Sequence, residues 1–313
     1  MIIRILYGDK ITIRNNRLII LNNINSDGEI LENEEKNSIP LKDIRAIIIE
    51  NPYSSISISA LLELNYNKIN LIICNEKFQP ELQILNLFSN YKITERISEQ
   101  INWKDEEKTK AFKKIIIQKI SHQSELLEFI GATKEKDELL NLIENLENKD
   151  NITSQEIVSI EGVAARIYFQ RLFLSEFKRF QNDLTNSALN YGYTIVRTLV
   201  SKIIIAKGLH PTLGIQHSNV FNNYNLVDDL MEIFRPIVDY IVYFNFQKIN
   251  GESLLKEHRN ELLKIYFQKI EIEGKLNTID YAVEKYIDNF IGFMNKTKEN
   301  FELPKLVISK YEY

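Results

Sequence analysis

The 313-residue chain has one cysteine, and that scarcity excludes an internal disulfide framework and any cysteine-rich zinc site. Cys74 lies in the apolar run "INLIIC", where a buried structural thiol is expected rather than a nucleophile. Long hydrophobic runs are missing too, so no segment reads as a bilayer-spanning helix. The first residues, "MIIRILYGDK", lack the basic and apolar regions of a signal peptide, so a cytoplasmic protein is expected. Proline and glycine are modest at 6 and 10, as in a folded, helix-rich domain, and there is no internal repeat. A large excess of either charge is also lacking: the net charge of −4 gives no bulk argument for an anionic partner.

What is present is unevenly placed. Gln123 to Ile157 holds nine acids and three bases, net −6. Gly162 to His210 holds Arg166, Arg171, Lys178, Arg179, Arg197, Lys202 and Lys207 against Glu176 and Asp183, net +5. A basic block in an acidic chain is a local footprint for phosphate, although a solvated helix face gives the same count.

The hydrophobic pattern changes once. Short Ile/Leu/Val runs ("MIIRILY", "KITIR", "RLIIL", "IRAIIIE", "INLIIC") separated by turn signals such as "GD", "NN" and "NINSDG" predict a β-rich first domain over 1–90. It should be sandwich- or barrel-like with one short helix in "SSISISALLELNYN", opened by a serine cap. After about Ser89 the period becomes 3.6, predicting a larger all-helical domain over 91–313. Its helices include one opened by Ser154 and break at 208–225, at Asn250–Ser253 and near Gly274–Asn277. The tail "ENFELPKLVISKYEY" reads as loosely held or as a docking segment. The fold class is therefore α+β in two domains.

Chemistry is concentrated in "LGIQHSNVFNNYNLVDDLMEIFRP", Leu213 to Pro236. With Asn225 capping a helix, Glu232 shares a face with Asp228 and Asp229, where like charges repel. The helix dipole explains acids in the first turn, and fully accounts for Asp228. Glu232 lies a turn further in, between Met231 and Ile233; a divalent cation or a salt bridge to Arg235 would each satisfy it, and spacing leaves both open. His217, in a Gly/Asn-rich loop just before the helix, can fold back over Asp229 and Glu232, whereas His210 beside Pro211 reads as a surface residue. Glu161 is the one acid between Glu156 and Glu176 and shares a helix face with Ala165, Tyr168 and Leu172. An arginine partner in the core would satisfy it; so would a metal. Two carboxylates and an imidazole without a thiolate suit Mg²⁺ or Mn²⁺, the ions of phosphodiester chemistry.

The blocks "IEGVAARIYF", "LGIQHSN" and "NLVDDLMEIFRPIVD" resemble the signature blocks of the CRISPR-associated Cas1 family, the endonuclease/integrases of CRISPR adaptation, most closely its type II branch. "ERISEQINWKDEEKTKAFKKIIIQKISHQ" is similar to the first long helix of that family's catalytic domain. The resemblance implies Glu161, His217 and Glu232 as catalytic metal ligands for Mg²⁺ or Mn²⁺. Asp229 matches an auxiliary acid that orients His217 or joins the site. Arg166, Lys178, Arg179 and Lys202 become candidates for DNA-backbone contacts, with salt bridges to the acidic segment as the rival reading. Further implications are a homodimer formed through the β domain, a Cas2 dimer as partner in a larger integration complex, and double-stranded DNA as substrate, both prespacer and CRISPR repeat. The reaction the resemblance implies is attack of a prespacer 3′-OH on a repeat phosphodiester. Gln216, Ile233 and His210 stand where the family commonly has histidine, proline and asparagine; none of these changes removes a ligand. Two other functions compete: a hydrolytic, repair-type metal nuclease and a non-catalytic DNA-binding scaffold.

Overall fold

The computed structural model describes residues 1–24, 30–85, 90–173, 175–179, 181, 183–246 and 254–307. Two compact units emerge, Met1–Leu87 and Phe88–Tyr313.

The first unit contains β1 (Ile2–Ile5), β2 (Lys10–Arg14), β3 (Arg17–Ile24), β4 (Ile30–Pro40), β5 (Ala46–Ile49), β6 (Ser55–Ile56), α1 (Ile58–Tyr66), β7 (Asn70–Cys74) and β8 (Pro80–Ile84). They form two four-stranded sheets, ordered β1-β5-β7-β8 and β4-β3-β2-β6. Ile3, Ile5, Ile47, Ile49 and Leu71 from one sheet and Ile11, Leu18 and Ile20 from the other fill a single core, the arrangement of a sandwich. Within the first sheet β1, β5 and β7 run parallel. Their sequences carry the reason: β5 buries all four of its residues, so it reads as a continuous apolar run without alternation. At the "NN" turn joining β2 to β3, Asn15 and Asn16 both take positive φ, 50° and 56°, which matches a primed hairpin turn. Ser57 caps α1, its Oγ accepting from the Ala60 N–H at 3.2 Å. One stripe of α1, Ile58, Leu62 and Tyr66, stays exposed at 77%, 52% and 73%.

The second unit is mostly helical: α2 (Ile93–Ile101), α3 (Asp105–Phe129), α4 (Thr133–Glu147), α5 (Ser154–Phe173), α6 (Leu184–Ala206), α7 (Asn225–Met231), a 3-10 turn (Glu232–Phe234), α8 (Arg235–Phe246), α9 (Lys256–Leu263) and α10 (Ile279–Met294). Helix α3 packs against α4, α5, the 3-10 turn, α8 and α10, and so forms the axis of the unit. The segment that reads as one long helix is divided into α2 and α3 at Asn102–Lys104. Trp103 fills that break, buried, with Nε1 donating to Asn295 Oδ1 at 2.9 Å and its ring edge-on to Phe290. Asp105, Glu106 and Glu107 then open α3, where the helix dipole favours acids.

Three details differ from expectation. A hairpin, β9 (Lys269–Ile272) and β10 (Lys275–Thr278), replaces a helix break near residue 274, because Glu273 and Gly274 both adopt the positive φ of a two-residue primed turn. Helix α5 does open at Ser154, but the capping side chain comes from Thr153 just before it: the Thr153 N–H and Oγ1 both bond Glu156 Oε2, and the Glu156 N–H donates back to Oγ1. The described part of the tail is firmly held, with Phe301 packed among Tyr286, Phe290 and Phe293, and the Leu306 N–H donating to His122 Nε2 at 3.1 Å. The break expected at Asn250–Ser253 and the last six tail residues lie outside the described residues. Among the described residues no helix is long and apolar enough to cross a membrane.

Candidate active site

Four elements bring charged side chains to one place: α5 supplies Glu161, α3 Lys119, the 3-10 turn Glu232 and α8 Arg235. The turn at Glu232 follows from Pro236. Proline has no N–H to give the Glu232 carbonyl, so the Arg235 N–H bonds it instead and the helix tightens for one turn. His122 of α3 reinforces this geometry, its Nδ1 within 2.8 Å of the Ile233 carbonyl oxygen.

Lys119 Nζ donates to Glu161 Oε1 at 2.5 Å and lies 2.6 Å from Glu232 Oε2. Arg235 Nε lies 2.9 Å from Glu232 Oε1. The last two contacts are close in distance but lack hydrogen-bond alignment, leaving Glu232 Oε2 and Arg235 Nε buried without a directed partner. Burial works against the charged form of Glu232, yet Arg235 and Lys119 outweigh it and hold the carboxyl well below the usual carboxylate range. Burial likewise pulls Lys119 down, and Glu232 and Glu161 more than reverse it, holding the ammonium above its ordinary value. A polar cavity of about 210 Å³ opens on this group, lined also by Arg179, Tyr193 and Asp239. Burial raises Asp239 to about 6 against the opposing hydroxyl donors Tyr193 and Tyr168.

The loop after α6 is built around Asp229, which is wholly buried and accepts from the backbone N–H groups of Ile215, Gln216 and His217 at 2.7, 3.0 and 3.1 Å. Asp229 Oδ1 also lies 2.6 Å from His217 Nδ1. That bond, against partial burial, raises the His217 pKa; whenever the ring is neutral, the same bond keeps the proton on Nδ1 and leaves Nε2 its lone pair. Gly214 permits the wrap, since a Cβ there would meet the His217 carbonyl oxygen at 2.3 Å and Asp229 Oδ2 at 2.8 Å. Gln100 of α2 holds the start of the loop through the His210 and Leu213 carbonyls and the His210 N–H.

The residues singled out in the sequence thus fall into distinct positions. Glu161 and Glu232 meet at one cation, Lys119 Nζ. His217 is drawn to Asp229 beside them, near enough for its charge and that of Glu232 to bear on each other. Among the described residues no three His, Cys, Asp or Glu side chains form a ready-made ligand cluster, because Lys119 stands between the carboxylates. Asn225 is not a cap: its side chain bonds the Thr212 and Asn219 carbonyls, tying the loop to α7. Asp228 is paired with Arg197 Nε and Asn222 Nδ2, both at 2.8 Å. Tyr168 is a core aromatic bonded to Asp239, and His210 bonds Thr212 locally.

Of the four bases considered for DNA, Arg166 and Lys178 are exposed and Lys202 is half-buried. Arg179 lines the cavity, bonded to Asn186 and Asn190 and stacked over Tyr193. In the same basic block Arg171 pairs with Glu135, and Lys207 with Glu284 and Asp288. Sequence reasoning passed over Lys119, although its position in "IIIQKI" sets a lysine on the buried stripe of an apolar helix.

The donor types suit a hard divalent cation. Two carboxylates already converge on a positive charge, one of their oxygens has no aligned donor, and an imidazole stands within electrostatic reach of Glu232.

The family model for "CRISPR associated protein Cas1" matches residues 5–264. The chain belongs to the Cas1 family. A CRISPR-associated endonuclease Cas1 from Neisseria meningitidis serogroup C (strain 8013) is 29% identical over 290 residues, covering 91% of this chain and 92% of that relative. In fold, the chain is similar to a casposase bound to integration product, with a TM-score of 0.75 at 22% identity, covering 100% of this chain and 94% of the other. It is also similar to a chain of a partial Cas6-RT-Cas1–Cas2 complex, with a TM-score of 0.63 at 18% identity over 97% of this chain and 99% of that one. These Cas1-family likenesses agree with the small β unit and the larger, mostly helical unit.

Proposed function

We propose that this Cas1-family chain is a divalent-metal-dependent DNA endonuclease/integrase of CRISPR adaptation that joins prespacer 3′-OH ends to the CRISPR repeat by transesterification. The observation that carries this reading is the convergence of Glu161 and Glu232, from separate helices, on one cationic point beside His217. Glu161, Glu232 and His217 Nε2 hold the ion, Mg²⁺ or Mn²⁺. Bound there, it supplies Lewis-acid activation of the attacking hydroxyl and neutralises charge on the phosphodiester. Asp229 keeps the His217 ring in the tautomer that ligates, and it fixes the loop through three backbone N–H groups. As its own ligating capacity is taken up by these donors, it acts as a positioning residue. Arg179, on the cavity wall, is placed to meet a phosphate next to the reacting one, and exposed Arg166 and Lys178, with Lys202, carry the backbone further out.

Family membership and the named complexes of its structural relatives support DNA and Cas2 as partners. The chain acts in the cytoplasm on double-stranded prespacer and repeat DNA, as a homodimer through the β unit, with a Cas2 dimer in the assembly. The exposed stripe Ile58–Leu62–Tyr66 on α1 supports a protein interface on that unit.

The test is a joining reaction with repeat-bearing supercoiled plasmid, a prespacer oligonucleotide, Cas2 and Mn²⁺. Covalent joining that chelation abolishes is expected. Nicking without joining would make the chain a hydrolytic nuclease, and joining indifferent to chelation and to Glu161→Ala would contradict the metal mechanism.

A further inference from the structure

The ammonium of Lys119 occupies the point where the two carboxylates meet, and three features set it apart from an ordinary core ion pair. First, one cation serves two acids, and among the described residues Lys119 is the ion-pair partner of Glu161. Second, the group is under-bonded: Lys119 is aligned with Glu161 but not with Glu232, and Arg235 Nε is not aligned with Glu232 either. A buried pair selected for stability alone would direct its donors, because charge contact without hydrogen bonding repays desolvation poorly. Third, the group opens onto a cavity rather than being sealed, and Glu161 keeps a quarter of its side chain exposed.

The charges around that cavity also limit what can enter. Lys119, Arg179 and Arg235 balance Glu161, Glu232 and Asp239, three against three. A divalent cation adds two surplus positive charges at the point Lys119 already fills, so the ammonium and the ion cannot both hold the same carboxylate oxygens.

Resting on the metal-site reading above, we infer that Lys119 is a resident counter-ion that competes with the divalent cation for Glu161 and Glu232. Without the ion it holds the two carboxylates together and prevents their mutual repulsion from opening the site. On ion binding it withdraws from their oxygens, and an ammonium displaced into the cavity is then available to an incoming phosphate. Lys119 is therefore a positioning residue that sets metal affinity, and it weakens that affinity in the absence of DNA.

The experiment measures Mn²⁺ binding by electron paramagnetic resonance on the full chain for wild type, Lys119→Met, and Glu161→Gln in both backgrounds. Lys119→Met is expected to bind Mn²⁺ at least about tenfold more tightly than wild type, with binding lost on Glu161→Gln, and its unfolding midpoint without metal is expected to fall and recover with Mn²⁺. Equal or weaker Glu161-dependent binding by Lys119→Met overturns the inference while leaving the metal site in place. Wild-type binding indifferent to Glu161→Gln overturns the metal-site reading and the inference together. A second measurement needs no destabilising variant: the protected side-chain ammonium signal of Lys119 in wild type, assigned by its absence from Lys119→Arg, is followed by NMR during Mg²⁺ titration. It should shift in step with the His217 ring; a His217 response with an unmoved Lys119 signal contradicts the exchange.

Discussion

Each unit of the chain buries an ion pair, and the two are built differently. In the β unit Arg4 grips Glu50 with two parallel bonds, Nε to Oε1 and Nη2 to Oε2, both 2.7 Å, with Glu50 fully buried. In the helical unit Lys119 and Arg235 crowd Glu232 at similar distances without aligned bonds, beside an open cavity. A bidentate, enclosed pair has its hydrogen-bonding capacity directed and favours one arrangement. An under-directed pair at a cavity keeps its charges close yet exchangeable. Hydrogen-bond direction, more than distance or burial, separates the structural pair from the one proposed to work.

This contrast can be broken experimentally. The largest effect is expected from Glu161→Gln, which should lower strand joining by more than about 100-fold while thermal unfolding stays cooperative; a loss of fold would make Glu161 a structural acid. Next, Arg4→Met should cost about 3–5 kcal/mol by removing both bidentate bonds to the buried Glu50 carboxylate, read by urea unfolding, and Mn²⁺ binding should be unchanged. If Arg4→Met impaired metal binding as much as stability, the two pairs would not be separable.

A smaller effect is expected from pH. Burial depresses His122 to about 4, opposed weakly by the Ile233 and Pro304 carbonyls, whereas the unfolded chain takes up that proton near 6.5. The unfolded state therefore binds more protons between those values, so stability falls as pH drops from 6.5 to 4, by up to about 3 kcal/mol, and the contribution levels off below. Urea titrations of His122→Asn should show a shallower slope in that window, and an identical slope would remove His122 from the explanation. The smallest effect on folding belongs to Leu62→Glu, exposed on α1, which should stay within about 0.5 kcal/mol of wild type. Light scattering should nevertheless show it shifted from dimer to monomer; an unchanged mass would place the interface elsewhere.

Much of this molecule is legible in its sequence, and the limits have physical causes. Turn signals and the change of period separate a β region from a helical one because both are local. The parallel pairing of β1, β5 and β7 is not local, and buried parallel strands do not alternate. Glu161, His217 and Glu232 stand out as an isolated acid, a loop histidine and an acid on an apolar helix. Lys119 did not, because one lysine in a helix rich in lysines looks solvated until α5 and the 3-10 turn are packed against it. Asn225 looked like a cap because asparagine commonly is one; the cross-loop bonds to Thr212 and Asn219 that claim its side chain are tertiary. Pro236 was visible throughout, and its consequence, a tightened turn that carries Glu232, needed only the missing N–H.

The most direct test of the central claim is a crystal of the protein soaked in Mn²⁺ and measured at the manganese absorption edge. The claim predicts one anomalous peak within ligand distance of Glu161, Glu232 and His217 Nε2, with the Lys119 ammonium moved off the carboxylates. A peak elsewhere, or none, with Lys119 still bridging Glu161 and Glu232, would contradict it.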